Sequence, residues 1–292
     1  MNPYYLAYII SLVLCGTSGI AAGFIHLSSY EIVLLRFGLA SILLFIVYMV
    51  RFKGKFTFYR HKRSFFFLVL AGLILGVNVL FLFEAYQQVG VPLGILGDYC
   101  GPALVMLLSP ILFHEQLTVR KLLAFAIVVV GVVLVNGPVF LEGSSGWGLF
   151  CCAMSGVTLG AMVVCNKFST EIQGLESSLL TFIICSAVIA VFVISRQGFT
   201  ITIIPTDWPA ILFMSLISTG IGNNLNISSM KHLPAQSVSV LGYLEPMTAV
   251  ILSALILHQQ MSPLQMVGAG CILGGAILCE RMGRKPAHAD QL

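Results

Sequence analysis

The sequence predicts an all-α integral membrane protein with ten transmembrane helices, arranged as two inverted repeats of five helices each. Three observations carry this prediction. Of its 292 residues, 58% are hydrophobic and only 9% are charged, against about 25% charged in an ordinary soluble domain. The apolar residues fall in ten runs long enough to cross a bilayer as helices, and the second half of the chain repeats the first at a constant offset.

Each apolar run has about 17 to 25 residues, the length that a helix needs to cross a hydrocarbon layer of about 30 Å. The runs are continuously apolar and do not alternate at every second position, so helices are favoured over the strands of a membrane barrel. In chain order the predicted spans are 4–25, 30–51, 65–87, 92–113, 120–138, 147–169, 175–195, 208–229, 235–257 and 264–282.

The basic residues predict the orientation of these spans. With a cytoplasmic N-terminus, thirteen of the fifteen Lys and Arg residues lie on the cytoplasmic side, as the positive-inside rule requires. We therefore predict a multi-pass protein of the cytoplasmic (inner) membrane with both termini in the cytoplasm, and with Trp147 and Trp208 at the outer interface. The basic run 51–63 favours a topology signal over a nucleic-acid site, so we predict no nucleic-acid partner.

A shift of 144 residues superposes the two halves without a gap. It aligns Tyr99 with Tyr243, Pro102 with Pro246, His114 with His258, Gly131 with Gly275, Ser11 with Ser155 and Gly16 with Gly160. Because five is an odd number of spans, the second copy enters the membrane from the opposite side, which gives an inverted repeat of the kind common in secondary transporters. The predicted organisation is a first repeat at 1–138, an extracytoplasmic linker at 139–146, a second repeat at 147–282 and a cytoplasmic tail at 283–292.

Glycines recur four residues apart, a spacing that lets helices approach closely in lipid. The pairs are Gly19 and Gly23, Gly72 and Gly76, Gly97 and Gly101, Gly156 and Gly160, and Gly270 and Gly274.

Catalytic and metal-binding patterns are not present in the sequence. All eight cysteines fall inside predicted spans without metal-ligand spacing. The sequence also contains no nucleotide-binding GxxxxGK[ST] loop, no HExxH and no GxSxG. We therefore predict a protein that is not an enzyme and that uses no metal and no cofactor.

Each half places one acid near the middle of the bilayer, Asp98 in the fourth span and Glu245 in the ninth. Each acid lies close to a central proline, Pro102 or Pro246, which removes a backbone hydrogen bond and is predicted to act as a kink or hinge. A charge at that depth costs about 2.5 to 3.5 kcal/mol, so these side chains are expected to face protein or water.

Arg36 in the second span has two interpretations. It forms an internal ion pair with Asp98 or with Glu84 of the third span, or it binds a carboxylate or phosphate of the substrate. Asp98 and Glu84 are candidates for binding substrate or a coupling proton. Glu245 has no obvious basic partner, which favours a neutral carboxyl group or a cationic ligand, and it is the leading functional acid.

Amides and tyrosines complete the candidate binding site. Asn223, Asn224 and Asn226 of the eighth span either line a polar cavity or join neighbouring helices by hydrogen bonds. Tyr99 and Tyr243, which are equivalent in the two repeats, either line the same cavity or serve as packing residues.

Two stretches resemble the EamA type of the drug/metabolite transporter superfamily, YCGPALVMLLSPILFHEQLTVRKLLAFAIVVVGVVLV at 99–135 and LEPMTAVILSALILHQQMSPLQMVGAGCILGGAIL at 244–278. The segment EIVLLRFGLAS at 31–41 is similar to the Arg-Phe pattern of the family's second helix. The resemblance implies a ten-helix solute carrier, often an exporter of amino acids or other metabolites, with a central cavity and peripheral fifth and tenth helices. It also implies that Arg36 and Glu115 belong to a shared scaffold, although Gln259 stands where the second repeat would carry the equivalent glutamate.

We therefore predict a secondary transporter that exports a small polar metabolite by alternating access. An amino acid is favoured because acids, one arginine and amides together can bind both ends of a zwitterion. A carrier of organic cations or drug-like amines is the main alternative, and a non-transporting membrane sensor or a membrane-embedded enzyme are two others. The predicted partners are a small-molecule substrate, the lipid bilayer and a proton as coupling ion, with the protein a monomer or a homodimer.

Overall fold

The computed structural model describes residues 3–115, 118–136, 146–172, 174–197, 202–256 and 263–283. Within these ranges the regular structure is helical. The α-helices are α1 (Pro3–Gly16), α2 (Ser18–Ala22), α3 (Ser29–Phe52), α4 (Lys62–Val89), α5 (Val91–Asp98), α6 (Cys100–Phe113), α7 (Val119–Asn136), α8 (Gly146–Phe168), α9 (Gly174–Gln197), α10 (Trp208–Leu212), α11 (Asn224–Met230), α12 (Ala235–Gly242), α13 (Leu244–Ile256) and α14 (Pro263–Gly283).

These helices build the ten predicted spans. Six continuous helical stretches of the described chain are long and apolar enough to cross a membrane alone, namely Pro3–Ala22, Ser29–Phe52, Lys62–Val89, Gly146–Phe168, Gly174–Arg196 and Pro205–Met230. The fourth span consists of α5 followed by α6, and the ninth consists of α12 followed by α13. Helices α7 and α14 form the fifth and tenth spans, so the predicted all-α membrane fold is confirmed.

The two repeats interlock in a reciprocal way. A methyl group added to Gly16 of α1 would meet the backbone oxygen of Glu245 in α13 at 2.8 Å. A methyl group added to Gly160 of α8 would meet the backbone oxygen of Gly101 in α6 at 3.1 Å. Since Gly16 is equivalent to Gly160 and Gly101 to Glu245, the first span of each repeat packs on the fourth span of the other.

The fourth and ninth spans are interrupted at tyrosines rather than at the predicted prolines. Helix α5 ends before Tyr99 and α12 ends before Tyr243, while Pro102 and Pro246 lie in the first turn of the helices that follow. A proline cannot donate a hydrogen bond to the residue four positions earlier and its ring crowds that carbonyl. The interruption therefore falls one turn before each proline, at the same position in both repeats.

Glycines allow close contacts between the repeats. Gly97 and Gly101 pack against Gly156 and Gly160, and an added methyl group at Gly156 would lie 2.5 Å from the backbone oxygen of Gly97. Gly72 and Gly76 likewise pack α4 against α9. The prediction of close packing is wrong at Gly19, Gly270 and Gly274, where an added methyl group would meet no described residue within 4 Å.

The first and eighth spans depart from a single regular helix. The first span is divided between α1 and α2 at Thr17, and the eighth contains a π-helix over Phe213–Asn223, between α10 and α11. A π-helix of this length is unusual, since most are single turns and many of these lie at functional sites. Hydropathy predicted these spans but gave no sign of either irregularity.

One end of the bundle collects most of the basic residues, and we call it the basic end. At this end, hydrogen bonds between the two repeats connect their loops. Glu176 accepts hydrogen bonds from the backbone N–H groups of Thr57 and Phe58, at 2.7 and 2.8 Å. Glu115 accepts hydrogen bonds from the backbone N–H groups of Ala235 and Gln236, at 2.6 and 3.1 Å. One buried glutamate, Glu176, and one half-buried glutamate, Glu115, therefore fasten one repeat to the other at this end.

Candidate functional site

The interruptions of the fourth and ninth spans meet at the centre of the bundle. The hydroxyl group of Tyr243 donates a hydrogen bond to the backbone oxygen of Tyr99, 2.7 Å away, and the two ring centroids lie 5.8 Å apart. Tyr243 is buried, with an exposed fraction of 2%. The structure therefore brings these two predicted site residues together.

Asp98 is held by side chains from the third and sixth spans. Its Oδ1 atom accepts hydrogen bonds from Asn78 Nδ2 at 2.9 Å and from Ser155 Oγ at 2.8 Å. Asn78 also donates to the Ser155 backbone oxygen and to Thr158 Oγ1. Both hydrogen bonds engage one carboxylate oxygen of a half-buried side chain, and no described residue bonds the second oxygen, which can accept from a ligand.

Glu245 lies in the first turn of α13 and is half-buried. Its carboxylate has no hydrogen-bond or ion-pair partner among the described residues. The positive end of the helix dipole favours a negative charge at this position. Arg36 and Asp98 are the charged groups that act on it electrostatically, so Glu245 has a basic neighbour that the sequence did not suggest.

Arg36 does not form the ion pair considered above. Neither Asp98 nor Glu84 lies within 4.0 Å of its guanidinium group, and its Nε atom instead donates a hydrogen bond to Thr219 Oγ1 at 2.5 Å. The guanidinium carbon lies 5.5 Å from the centroid of the Phe37 ring. The internal ion pair is therefore not formed in this conformation, in which Asp98 is bonded by Asn78 and Ser155 instead.

Glu84 belongs to a different cluster. It accepts hydrogen bonds from Tyr30 at 3.4 Å, from Gln88 at 3.2 Å and from Trp147 Nε1 at 3.2 Å. Trp147 is 54% exposed at the end of the bundle opposite the basic end. The structure thus places Glu84 with an aromatic residue near the membrane surface, apart from the central acids.

The π-helix brings the predicted asparagines close to the first span. Cys15 of α1 donates to Asn223 Oδ1 at 3.0 Å and contacts the Ser218 backbone oxygen at 3.8 Å. Asn224 and Asn226 are half-buried in α11. The same π-helix carries Thr219, the hydrogen-bond partner of Arg36, so this irregular segment forms one wall of the site.

Sequence reasoning missed several members of this constellation. Tyr86 of α4 lies within electrostatic reach of Arg36, Asp98 and Glu245 and packs against Gly94. Asn78 could have been noticed, since it is the single amide near the centre of the third span. Thr219 gave no comparable signal, because a threonine in a span usually bonds its own helix.

The site therefore joins one guanidinium group and two carboxylates across the two repeats, inside a ten-span bundle. A fold of inverted repeats with a polar constellation where interrupted spans meet places the protein in the class of membrane transporters.

Comparison with known proteins identifies the family. Residues 2–137 and 146–280 each match the EamA-like transporter family, and the chain belongs to that family. It is similar to the uncharacterized transporter YxxF of Bacillus subtilis (strain 168), with 24% identity over 97% of this chain and 91% of the relative. It is also similar to the uncharacterized transporter YetK of the same organism, with 25% identity over 86% of this chain and 78% of the relative.

A solved crystal structure has the same fold. It superposes with a TM-score of 0.82 and 17% sequence identity, over 96% of this chain and 99% of its own. The protein is thus a multi-pass membrane transporter whose partners include a small-molecule substrate and membrane lipid.

Proposed function

We propose that the protein is a secondary transporter that exports a small polar metabolite, an amino acid or a close relative, across the cytoplasmic membrane. The observation that carries this proposal is the grouping of Arg36, Glu245 and Asp98 around the interrupted spans. Arg36 can bind a carboxylate through the guanidinium donors that Thr219 does not engage. Glu245 and the second oxygen of Asp98 can accept hydrogen bonds from an ammonium group.

Alternating access is the proposed mechanism, and the packing of the interrupted spans supports it. At the basic end α6 packs against α12, and Gln236 Nε2 donates to Ser109 Oγ at 3.0 Å. The equivalent pair at the opposite end is α5 with α13, and no comparable packing joins these two helices in the described chain. We infer a conformation closed at the basic end, which the positive-inside rule assigns to the cytoplasm. Exchange of the two packing modes would open that end.

The experiment is a flux assay in proteoliposomes with a panel of radiolabelled amino acids. We expect uptake or counterflow of at least one amino acid, and a loss of tenfold or more in Glu245→Gln and in Arg36→Gln. Glu171→Gln, a change in a half-exposed carboxylate at the basic end, serves as the control and should keep the wild-type rate. The absence of flux for every amino acid would reject this substrate class.

Organic cations are a second candidate substrate class, favoured by the excess of two carboxylates over one guanidinium group. Arg36→Gln separates the two candidates, because it removes the group that would bind a carboxylate. Transport of an amino acid should then be lost, whereas transport of an amine without a carboxylate should persist.

A pH gradient imposed across the vesicles tests a proton as the coupling ion, and the gradient dependence should vanish in Asp98→Asn or Glu245→Gln.

A further inference from the structure

The segment between α3 and α4 presents a strongly basic surface at the basic end. Together with the adjoining ends of the two helices it carries six basic side chains, all exposed, and we define the basic loop surface by them: Arg51, Lys53, Lys55, Arg60, Lys62 and Arg63. The segment 51–63 contains no acidic residue. None of the six side chains is paired with a carboxylate in the described part of the structure, so their charges are free to meet an external partner.

This surface is built on an ordered loop. Buried Glu176 of the second repeat accepts hydrogen bonds from Thr57 Oγ1 at 2.6 Å and from the N–H groups of Thr57 and Phe58. Tyr48 donates to the Lys55 backbone oxygen at 2.7 Å, and its ring stacks on Phe56 at 4.7 Å. A topology signal requires only positive charge, whereas the backbone of this loop is also held in place against the second repeat.

The position of the basic loop surface indicates which kind of ligand it can bind. Helices α3 and α4, which flank the loop, both cross the membrane, so the six cations lie at the level of the lipid head groups. Tyr59 and Phe66 are 59% and 63% exposed beside them and can reach into the acyl-chain boundary. A cleft of about 240 Å³ opens next to the loop between the two repeats, and the carboxylate of Glu171 lines it together with Arg63 and Lys167.

We propose that the basic loop surface binds the head groups of anionic phospholipids. Clusters of four to eight basic residues next to a transmembrane helix attract anionic lipids through their negative surface potential. Because Glu176 anchors the loop to the second repeat, a lipid bound to this surface lies at the end where the repeats close.

The test uses the full chain in nanodiscs that contain phosphatidylcholine alone or mixed with phosphatidylglycerol. Spin-labelled lipids report the relative occupancy of the protein boundary by each lipid class. We expect a several-fold preference for phosphatidylglycerol in the wild type, and near parity in the variant Lys53→Gln, Lys55→Gln, Lys62→Gln. Both faces of a nanodisc meet the same buffer, so the orientation at insertion does not affect the result.

A matched triple variant, Lys53→Arg, Lys55→Arg, Lys62→Arg, keeps every charge and should retain the preference. The single variant Lys55→Gln should give an intermediate lipid preference, and it tests the proposal if the triple variant does not fold. A wild type without preference, or an unchanged preference in the glutamine triple, would overturn the proposal. Millimolar inorganic phosphate and a short oligonucleotide are added as competitors. If either abolishes the lipid preference, the proposal is overturned in favour of a soluble anion or a nucleic acid as the ligand.

Discussion

The hydroxyl group of Tyr243 donates a hydrogen bond to the backbone oxygen of Tyr99, although the two residues occupy the same position in the two repeats. A perfectly symmetric pair would either exchange two such bonds or make none. The single bond therefore shows in which direction the interrupted spans depart from a symmetric arrangement. In the opposite conformation the inverted relationship predicts that Tyr99 donates to Tyr243.

The first prediction concerns these tyrosines. Tyr243→Phe removes the donor and should lower the free energy of unfolding by about 1 kcal/mol, the usual net value of a hydrogen bond. Tyr99→Phe keeps the backbone acceptor and should leave stability in this conformation nearly unchanged. Thermal unfolding of both variants in the same detergent checks the difference, and equal losses would contradict the assignment of donor and acceptor.

Asp98→Asn separates the charge of this residue from its structural bonds. The amide oxygen of asparagine can still accept from Asn78 and Ser155, so the melting temperature should stay close to that of the wild type. Transport should fall tenfold or more, because the anionic group has gone. Ser155→Ala should show the opposite pattern, with the charge and most transport kept but stability reduced by about 1.5 to 3 kcal/mol. A folded Asp98→Asn variant with full activity would remove Asp98 from the site.

Glycine contacts between the repeats should be intolerant of a single methyl group. Gly156→Ala places a Cβ atom 2.5 Å from the Gly97 backbone oxygen and must separate α8 from α5. We expect a loss of about 1 to 3 kcal/mol, as for overpacking in a dense core. Gly270→Ala serves as the control, since nothing lies within 4 Å, and it should be neutral or slightly stabilising because alanine favours the helix. Chemical or thermal unfolding compares the two variants.

Glu176 should be more important for stability than an exposed glutamate nearby. Glu176→Gln introduces an amide donor opposite groups that themselves donate, namely the Thr57 hydroxyl and the backbone N–H groups of Thr57 and Phe58. The expected loss is about 1 to 3 kcal/mol, the penalty for a buried polar group left without a partner. Glu171→Gln, at a half-exposed position, should change stability by less than about 0.5 kcal/mol. A similar melting temperature for both variants would contradict this account.

Lys231, at the basic end, should make the stability of the protein depend on pH. Burial lowers the pKa of Lys231 to about 8, while its ammonium group donates to the backbone oxygen of Ser169 at 2.8 Å. Below pH 8 both folded and unfolded states carry the charge, and the folded state bears the full desolvation penalty. As the pH rises from about 8 toward the unfolded value of about 10.4, that penalty is relieved and stability should increase. The Lys231→Met variant should lack this increment when its melting temperature is compared with that of the wild type across the same range.

The ten spans and the duplication could be predicted because hydropathy and the 144-residue offset are properties of the sequence alone. The helix interruptions lie one turn before the prolines at which they were predicted. A proline disturbs the carbonyl group that precedes it rather than its own position. The π-helix at Phe213–Asn223 was not predictable, because its residues are as apolar as those of an α-helical span.

The candidate residues were easier to predict than their partners. Arg36, Asp98 and Glu245 stood out because charges are rare at that depth. The Arg36 contact with Thr219 joins positions 183 residues apart on different repeats, and no local pattern reveals such a pair. The offset aligned Ser155 with Ser11, yet Ser155 holds Asp98 whereas Ser11 bonds the Tyr8 carbonyl of its own helix.

The position equivalent to Asp98 in the second repeat is Gly242, and the position equivalent to Glu245 in the first is Gly101. The backbone is thus duplicated while the two acids are not. On the proposed alternating-access mechanism, exchanging the shapes of the halves moves each carboxylate into surroundings that its counterpart never occupied, so the two forms of the empty carrier should differ in energy. The two acids would then set a resting bias, and the reciprocal changes Asp98→Gly and Gly242→Asp should shift it.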